Sequence, residues 1–294
     1  MPTNLKTVTT VEALRGEVAA LRHAGKKIGF VPTMGALHEG HLSLVRAAKA
    51  ECDAAVVSIY VNPSQFGPSE DFSKYPRTLD ADRALLADCK TDLIFAPAND
   101  EVYRAGHATW VDVEAIAQPL EGVCRPGHFR GVATIVLKLL NMVQPDVAYF
   151  GQKDFQQALV IRRMVADLDL PVRIQVCPIV READGLAMSS RNRYLSPAAR
   201  QRALVLCRSL ELANKLVAEG ERRAAAIAQR MTELIKTADD ARIDYVALVD
   251  PDTLQPVEEI NRPTLAALAV KIENTRLIDN CLLQPGQCQM PNDG

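Results

Sequence analysis

The chain has little of what marks a membrane protein, a secreted protein or a nucleic-acid binder. Lys+Arg 34 nearly balance Asp+Glu 36, leaving a formal charge of −2 over 294 residues. No global basic field therefore recruits a polyanion. With one Trp and 5% aromatics there is also no basic surface interleaved with stacking rings, so no nucleic-acid partner is expected. No apolar run approaches the roughly 20 residues that span a bilayer, so no membrane partner is expected either. The segment Met1-Pro-Thr-Asn-Leu-Lys6 lacks the apolar core of a signal peptide. The seven cysteines (Cys52, Cys89, Cys124, Cys177, Cys207, Cys281, Cys288) form no C-x-x-C pair. Their odd number and scatter predict reduced, mostly buried thiols in a cytoplasmic protein. Internal repeats and low-complexity linkers are absent, and the length suits one large domain or two modest ones.

What is present is alternation. Apolar, β-prone segments at 27–32, 54–61, 92–96, 109–113, 146–150 and 172–177 predict strands. Between them, helical spacing predicts helices over about 11–24, 41–51, 79–89, 130–143 and 154–168. Such alternation implies an α/β fold, a doubly wound parallel sheet with ligands at the carboxyl ends of its strands. Right-handed crossovers make that arrangement nearly obligatory. The pattern changes near residue 185. Two helices, about 197–219 and 221–237, precede strand-like segments at 243–249, 265–272 and 275–278, which suggests a smaller α+β domain. The expected division is 1–185 and 186–294, with the tail after Leu283 expected to fray.

The most informative stretch is Val31-Pro-Thr-Met-Gly-Ala-Leu-His-Glu-Gly-His41, which joins the strand at 27–32 to the following helix. Gly35 and Gly40 allow a tight turn and close approach of backbone to a ligand. The N–H groups and positive dipole end of the new helix favour an anion. His38 and His41 project to the same side of that turn, where two imidazoles can donate hydrogen bonds to a triphosphate as it separates. A metal pair or simple capping are the alternatives. The zinc-protease pattern, however, needs histidines four apart on a formed helix. Here a glycine intervenes, and no third ligand stands nearby. His-x-Gly-His after a strand is similar to the ATP-binding signature of nucleotidylyltransferases and class I aminoacyl-tRNA synthetases.

Four further segments could carry chemistry. Asn62-Pro-Ser-Gln-Phe-Gly follows the second strand, and the Gln65 amide offers both donors and an acceptor. Arg125, His128 and Arg130 cluster in a Gly-rich turn before a helix, which reads equally as an anion cradle or an ordinary polar loop. In Gly151-Gln-Lys-Asp-Phe-Gln-Gln157, Gly151 permits a tight turn, Lys153 offers a mobile cation and Asp154 can cap the helix, with Gln157 one turn on. Gly185-Leu-Ala-Met-Ser-Ser-Arg-Asn-Arg193 combines hydroxyls and guanidiniums suited to a closing phosphate clamp, or to a solvated loop.

Together PTMGALHEGH, VNPSQF with the downstream YPRTLDAD, YFGQKDFQQ, MSSRN and the closing NTRLIDN resemble the pantothenate synthetase family, the pantoate–β-alanine ligases. The resemblance covers about residues 8–283. It implies a Rossmann-like first domain, a smaller lid domain and a homodimer built mainly through the first domain. It also implies an ATP-dependent condensation of pantoate with β-alanine through a pantoyl adenylate, releasing AMP and pyrophosphate. Met34, Gly35, Ala36, Leu37, His38, Glu39, Gly40 and His41 then match the ATP loop, with His41 in the position assigned proton donation and His38 beside the phosphate. Gln65 and Gln157 match the glutamines that hold pantoate, and Gln65 also reaches β-alanine. Gly151, Gln152, Lys153 and Asp154 match a nucleotide-binding turn, and Val180 a backbone contact with adenine. Met188, Ser189, Ser190 and Arg191 match the loop that closes on the phosphates.

Mg²⁺ is expected to accompany ATP, held by phosphates and water in place of a protein cage. Two departures matter. MSSRN carries no lysine, so Lys153 and Arg191 must supply the positive charge. Some relatives carry consecutive acids where this chain reads Asp80-Ala81-Asp82, so no metal-binding role is assigned to Asp82. The competing activity is a nucleotidylyltransferase that passes AMP to a phosphate acceptor. The competing class is an RNA-binding module, which the charge balance disfavours.

Overall fold

The computed structural model describes residues 5–68 and 70–285, so Cys288 and the end of the tail expected to fray lie outside the described residues. The chain divides into two compact units, one running to Val180 and including Met188–Ser190, the other holding Arg181–Ala187 and everything from Arg191.

The first unit is built on a six-stranded sheet: β1 (Lys6–Val8), β2 (Ile28–Thr33), β3 (Ala54–Ile59), β4 (Leu93–Phe95), β5 (Val147–Gly151) and β6 (Arg173–Cys177). The order is β1-β4-β3-β2-β5-β6 and every pairing is parallel. Its helices are α1 (Val11–His23), α2 (Glu39–Glu51), α3 (Leu79–Asp88), the short α4 (Asn99–Val102) and α5 (Glu121–Cys124), α6 (His128–Val143) and α7 (Phe155–Asp167). Alternate strand residues explain why both faces must be covered. Val31, Ala55, Val57, Ile94, Val147 and Tyr149 pack with Leu42, Val45 and Ala48 of α2 and Leu86 of α3. Their neighbours Phe30, Val56, Leu93, Phe95 and Ala148 are equally buried, and α6, which touches β2, packs with α1 and α7.

Two sequence expectations fail here. No strand forms at 109–113, where Trp110 stacks on Tyr103 and the Val111 N–H is taken by Thr134 Oγ1. The alternation Thr-Trp-Val-Asp-Val has no ladder to join, because β1 occupies the open edge of β4. Helix α2 also begins two residues earlier than expected, which makes His38 its N-cap.

The second unit contains α8 (Pro197–Ala203), α9 (Val205–Ala218) and α10 (Ala224–Ile235) with an antiparallel sheet of β7 (Arg242–Val249), β8 (Thr264–Ile272) and β9 (Thr275–Leu283). The helix expected over 197–219 is broken at Leu204. Leu206, Leu210, Ala213 and Val217 of α9 and Ile227, Met231 and Ile235 of α10 form the core with Ala266, Leu268 and Val270 of β8. The closing NTRLIDN motif runs from the turn residue Asn274 into β9. Its buried Asp279 accepts from both terminal guanidinium nitrogens of Arg181, at 2.7 and 3.0 Å, which anchors the 181–187 hairpin within this unit.

Candidate active site

Strand order reverses between β2 and β5, and at such a switch point the loops leaving the carboxyl ends diverge to leave a crevice. The loop after β2 carries Met34 to His38. Thr33 Oγ1 accepts the Gly35 N–H, and Gly35 and Ala36 both take positive φ, +80 and +50. Those two left-handed residues turn the chain into α2. His38 sits at the N-cap in extended conformation and its carbonyl accepts from the His41 and Leu42 N–H groups. The two imidazoles lie with ring centroids 4.1 Å apart. An added Cβ on Gly40 would come within 3.0 Å of the His38 ring and 3.6 Å of Met188 Cβ, so this glycine lets the histidine pair and the Met188–Ser190 segment close together.

His41 is half-buried, yet its Nδ1 is shut off from solvent without a hydrogen-bond partner among the described residues. Burial, followed by repulsion from His38, pushes its pKa down to about 3. Asp154 raises it and Lys153 lowers it, so the loops after β2 and β5 share one electrostatic environment. Lys153 Nζ lies 3.5 Å from Asp154 Oδ2. Asp154 is at the N-cap of α7 but makes no side-chain cap bond, contrary to the sequence expectation, because its carboxylate faces Lys153 instead. Gln157 is half-buried in the first turn of α7. Its neighbour Gln156 is structural, donating to the Ile116 and Pro119 carbonyls and accepting the Glu121 N–H.

The loop after β3 brings Gln65 against the histidine loop, with Nε2 3.3 Å from Met34 Sδ. Its carbonyl oxygen accepts from Asn62 Nδ2 at 3.0 Å, which leaves the NH₂ group as the end turned toward Met34. Asn62 is buried and is itself oriented by Ser64 and Tyr103 hydroxyls donating to its Oδ1. Val180 gives its carbonyl to the Met188 N–H at 3.0 Å, and Ser190 Oγ pairs with the buried Tyr75 hydroxyl at 3.1 Å. Arg191 falls in the other unit.

Sequence reasoning missed Asp82. It lies on the core-facing side of α3, one turn before Leu86, and is 1% exposed. Its Oδ2 accepts the Ala36 N–H at 3.0 Å and its Oδ1 the Leu37 N–H at 2.8 Å. Thr78 Oγ1 adds a third bond at 3.3 Å. The readable signal was a carboxylate at a core position of an amphipathic helix. Both oxygens are committed to the loop, which gives Asp82 a structural role in holding it. Among the described residues, no group of three or more His, Cys, Asp and Glu could hold a metal ion.

Comparison with known proteins decides the family. The sequence profile of the Pantoate-beta-alanine ligase family matches residues 6–282. The chain belongs to that family. It is 56% identical over 280 residues to the pantothenate synthetase of Moorella thermoacetica, covering 95% of this chain and 99% of that one. The crystal structure of pantothenate synthetase from Thermus thermophilus is similar with a TM-score of 0.91 at 47% identity, covering 96% of this chain and all of that one (100%). The pantoate-beta-alanine ligase of Francisella tularensis, crystallised with beta-gamma ATP and beta-alanine, gives 0.79 at 34% identity over 95% of this chain and 97% of its own. The loop after β2 carries His38 and His41, the loop after β3 carries Gln65, and the turn after β5 carries Lys153 and Asp154.

Proposed function

We propose that this pantoate–β-alanine ligase condenses (R)-pantoate with β-alanine at the crevice between β2 and β5, using ATP as co-substrate. The observation that carries this reading is the approach of Gln65 Nε2 to Met34 Sδ, beside the His38–His41 pair, of which His41 feels the charges of Lys153 and Asp154. A donor for an acid substrate thus stands next to a donor set for phosphate. A carboxylate oxygen of pantoate attacks the α-phosphorus of ATP, the bond to the β-phosphate oxygen breaks, and pyrophosphate leaves. The amine of β-alanine then attacks the acyl carbon, the acyl–phosphate bond breaks with AMP as leaving group, and the amine loses a proton. The site must shield the mixed anhydride from water.

His41 is neutral near pH 7 and acts as a hydrogen-bond donor to the separating phosphates, with His38 beside it. Bound triphosphate raises its proton affinity, because an adjacent anion favours the charged imidazole. Lys153 neutralises phosphate charge, and the Asp154 carboxylate is an acceptor for ribose hydroxyls. Val180 backbone, Met188, Ser189, Ser190 and Arg191 complete the nucleotide contacts. Gln65 and Gln157 hold pantoate. Mg²⁺ bound with ATP would be held mainly by the phosphates and water, and would help neutralise the phosphate charge.

We further propose a cytoplasmic homodimer. Family membership supports the dimer, and the free thiols Cys52, Cys89, Cys124, Cys177, Cys207 and Cys281 support a reducing compartment. Mass spectrometry of a reaction containing ATP, pantoate and β-alanine tests the chemistry. AMP and an amide are expected; ADP or a dinucleotide would overturn it.

A further inference from the structure

The segment Arg125-Pro-Gly-His-Phe-Arg-Gly131 reads in sequence as an anion cradle or a polar loop, but the structure commits Arg125 elsewhere. Arg125 donates through Nε and Nη2 to both oxygens of Glu70, at 2.7 and 2.8 Å, and Glu121 lies 3.8 Å from its Nη1. Nη1 also points at His128 Nε2, 3.0 Å away. A guanidinium has no acceptor, so His128 Nε2 must accept and the ring proton must sit on Nδ1. That Nδ1–H donates to the Gln65 backbone carbonyl at 2.8 Å. His128 is buried, and desolvation, reinforced by the Arg125 charge, pushes its pKa down to about 4, which keeps this single tautomer at neutral pH.

The same helical turn meets the Gln65 loop a second time. An added Cβ on Gly131 would lie 2.2 Å from the Ser64 carbonyl oxygen and 2.7 Å from the Gln65 nitrogen. Gly131 in turn gives its carbonyl to Asn62 Nδ2, the group that also holds the Gln65 amide oxygen. Gln65 is therefore gripped at its backbone by His128, against its flank by Gly131 and at its side chain by Asn62.

We propose that His128 is a positioning residue for the acid substrate: braced by Arg125 and Glu70, it fixes the Gln65 peptide so that the Gln65 amide faces pantoate, and it binds no anion itself. This rests on the reading that Gln65 contacts pantoate. The role needs an N–H at the Nδ1 position and nothing more from the imidazole. An asparagine amide places its nitrogen near Nδ1, whereas a glutamine amide places it near Nε2.

The test is steady-state kinetics on the full-length enzyme carrying His128→Asn, His128→Gln, His128→Leu, Gln65→Leu and the double variant His128→Leu/Gln65→Leu. His128→Leu and His128→Gln should raise the KM for pantoate by about tenfold while the KM for ATP changes less than about twofold, the scale of one lost buried hydrogen bond. His128→Asn should restore most of the loss. In the double variant the pantoate defect should not exceed that of Gln65→Leu alone, because coupled residues are not additive. Additive defects, or an asparagine variant as poor as the glutamine one, would overturn the positioning role alone. An unchanged pantoate KM in Gln65→Leu would remove the reading of Gln65 and this proposal with it. If the leucine variant does not fold, the asparagine and glutamine pair carries the comparison unaided.

Discussion

Asp82 and Leu37 stand 45 positions apart in sequence, yet the Asp82 carboxylate accepts the Leu37 backbone N–H at 2.8 Å, and its second oxygen accepts that of Ala36. A helix of the β3–β4 crossover thereby fixes the loop that delivers His38 and His41. Ala36 needs that support, since φ of +50 is a conformation that side-chain-bearing residues rarely adopt. Removing the carboxylate leaves two buried N–H groups unpaired, at a cost of about 1–3 kcal/mol each.

Asp82→Ala and Asp82→Asn should therefore both lower kcat, by about 10–100-fold, the scale expected of a small displacement of catalytic groups. Thermal melting should fall in both. The amide variant should be the milder, because it keeps one acceptor. Kinetics paired with calorimetric melts would measure this. A variant with full turnover and reduced stability would make Asp82 a purely structural cap.

His41 should show its effect in turnover. A donor that acts on charge developing as pyrophosphate separates contributes more in the transition state than in the ground state. His41→Ala should lower kcat by about 10²–10⁴ with a much smaller change in ATP affinity. Saturation kinetics beside nucleotide-binding calorimetry would separate the two. Near-normal turnover would leave His41 as a helix-start residue only.

The first chemical step should not need the amine. Its nucleophile is the carboxylate of pantoate, so isotope exchange between pyrophosphate and ATP should depend on pantoate and proceed without β-alanine. Strict dependence of that exchange on β-alanine would sink the two-step mechanism.

Buried histidines give stability a pH dependence of known sign. Folded values of about 3 for His41 and about 4 for His128 lie below the ~6.5 of an exposed imidazole. Between pH 6.5 and those folded values the unfolded chain binds more protons, so stability is lost as pH falls and is level above about 7. Each histidine contributes a slope of at most ~1.4 kcal/mol per pH unit. Urea denaturation from pH 7 to pH 5, above the carboxylate range, should show the decline, and His128→Asn should remove part of it. Stability unchanged across that interval would mean that neither ring is held neutral by the fold.

The parts of the fold legible in sequence were those with local signals. β2, β3 and β5 are continuous apolar runs, and α2 and α7 follow β2 and β5 at helical spacing, so the loops could be placed from residue pattern, whereas the strand order that puts the switch point between β2 and β5 could not. The segment 109–113 misled because period-two alternation reports an extended chain, while a strand also needs a partner edge. β1 went unseen because three residues, Lys6–Val8, carry too little periodicity, and its pairing with β4 joins residues far apart in sequence, Lys6 with Leu93. The partners of the Asp82 carboxylate and of the His128 ring were illegible for a related reason, although both residues could be singled out in the sequence. Each acts on a backbone group far away in sequence, and sequence pattern carries no record of such a pairing.

Gln65, the proposed pantoate ligand, has its amide polarity fixed by Asn62, whose Nδ2 donates to Gln65 Oε1 at 3.0 Å. The group left over is Nε2, turned toward Met34 Sδ, and with its two N–H groups it donates to a substrate oxygen in the proposed site. Gln65→Glu keeps size and still accepts from Asn62, but it turns that donor into a second acceptor. A substrate oxygen would then meet a carboxylate oxygen, leaving a buried polar group unpaired at about 1–3 kcal/mol, or roughly 5–150-fold in binding. The KM for pantoate should rise by about that factor, with kcat falling as the attacking carboxylate loses its alignment. Binding of a nonhydrolysable ATP analogue, measured by calorimetry, should change less than about threefold, because the histidine loop and the Lys153 turn are untouched. Parallel losses in pantoate use and ATP binding would show that Gln65 supports the fold of both loops and that the acid pocket lies elsewhere.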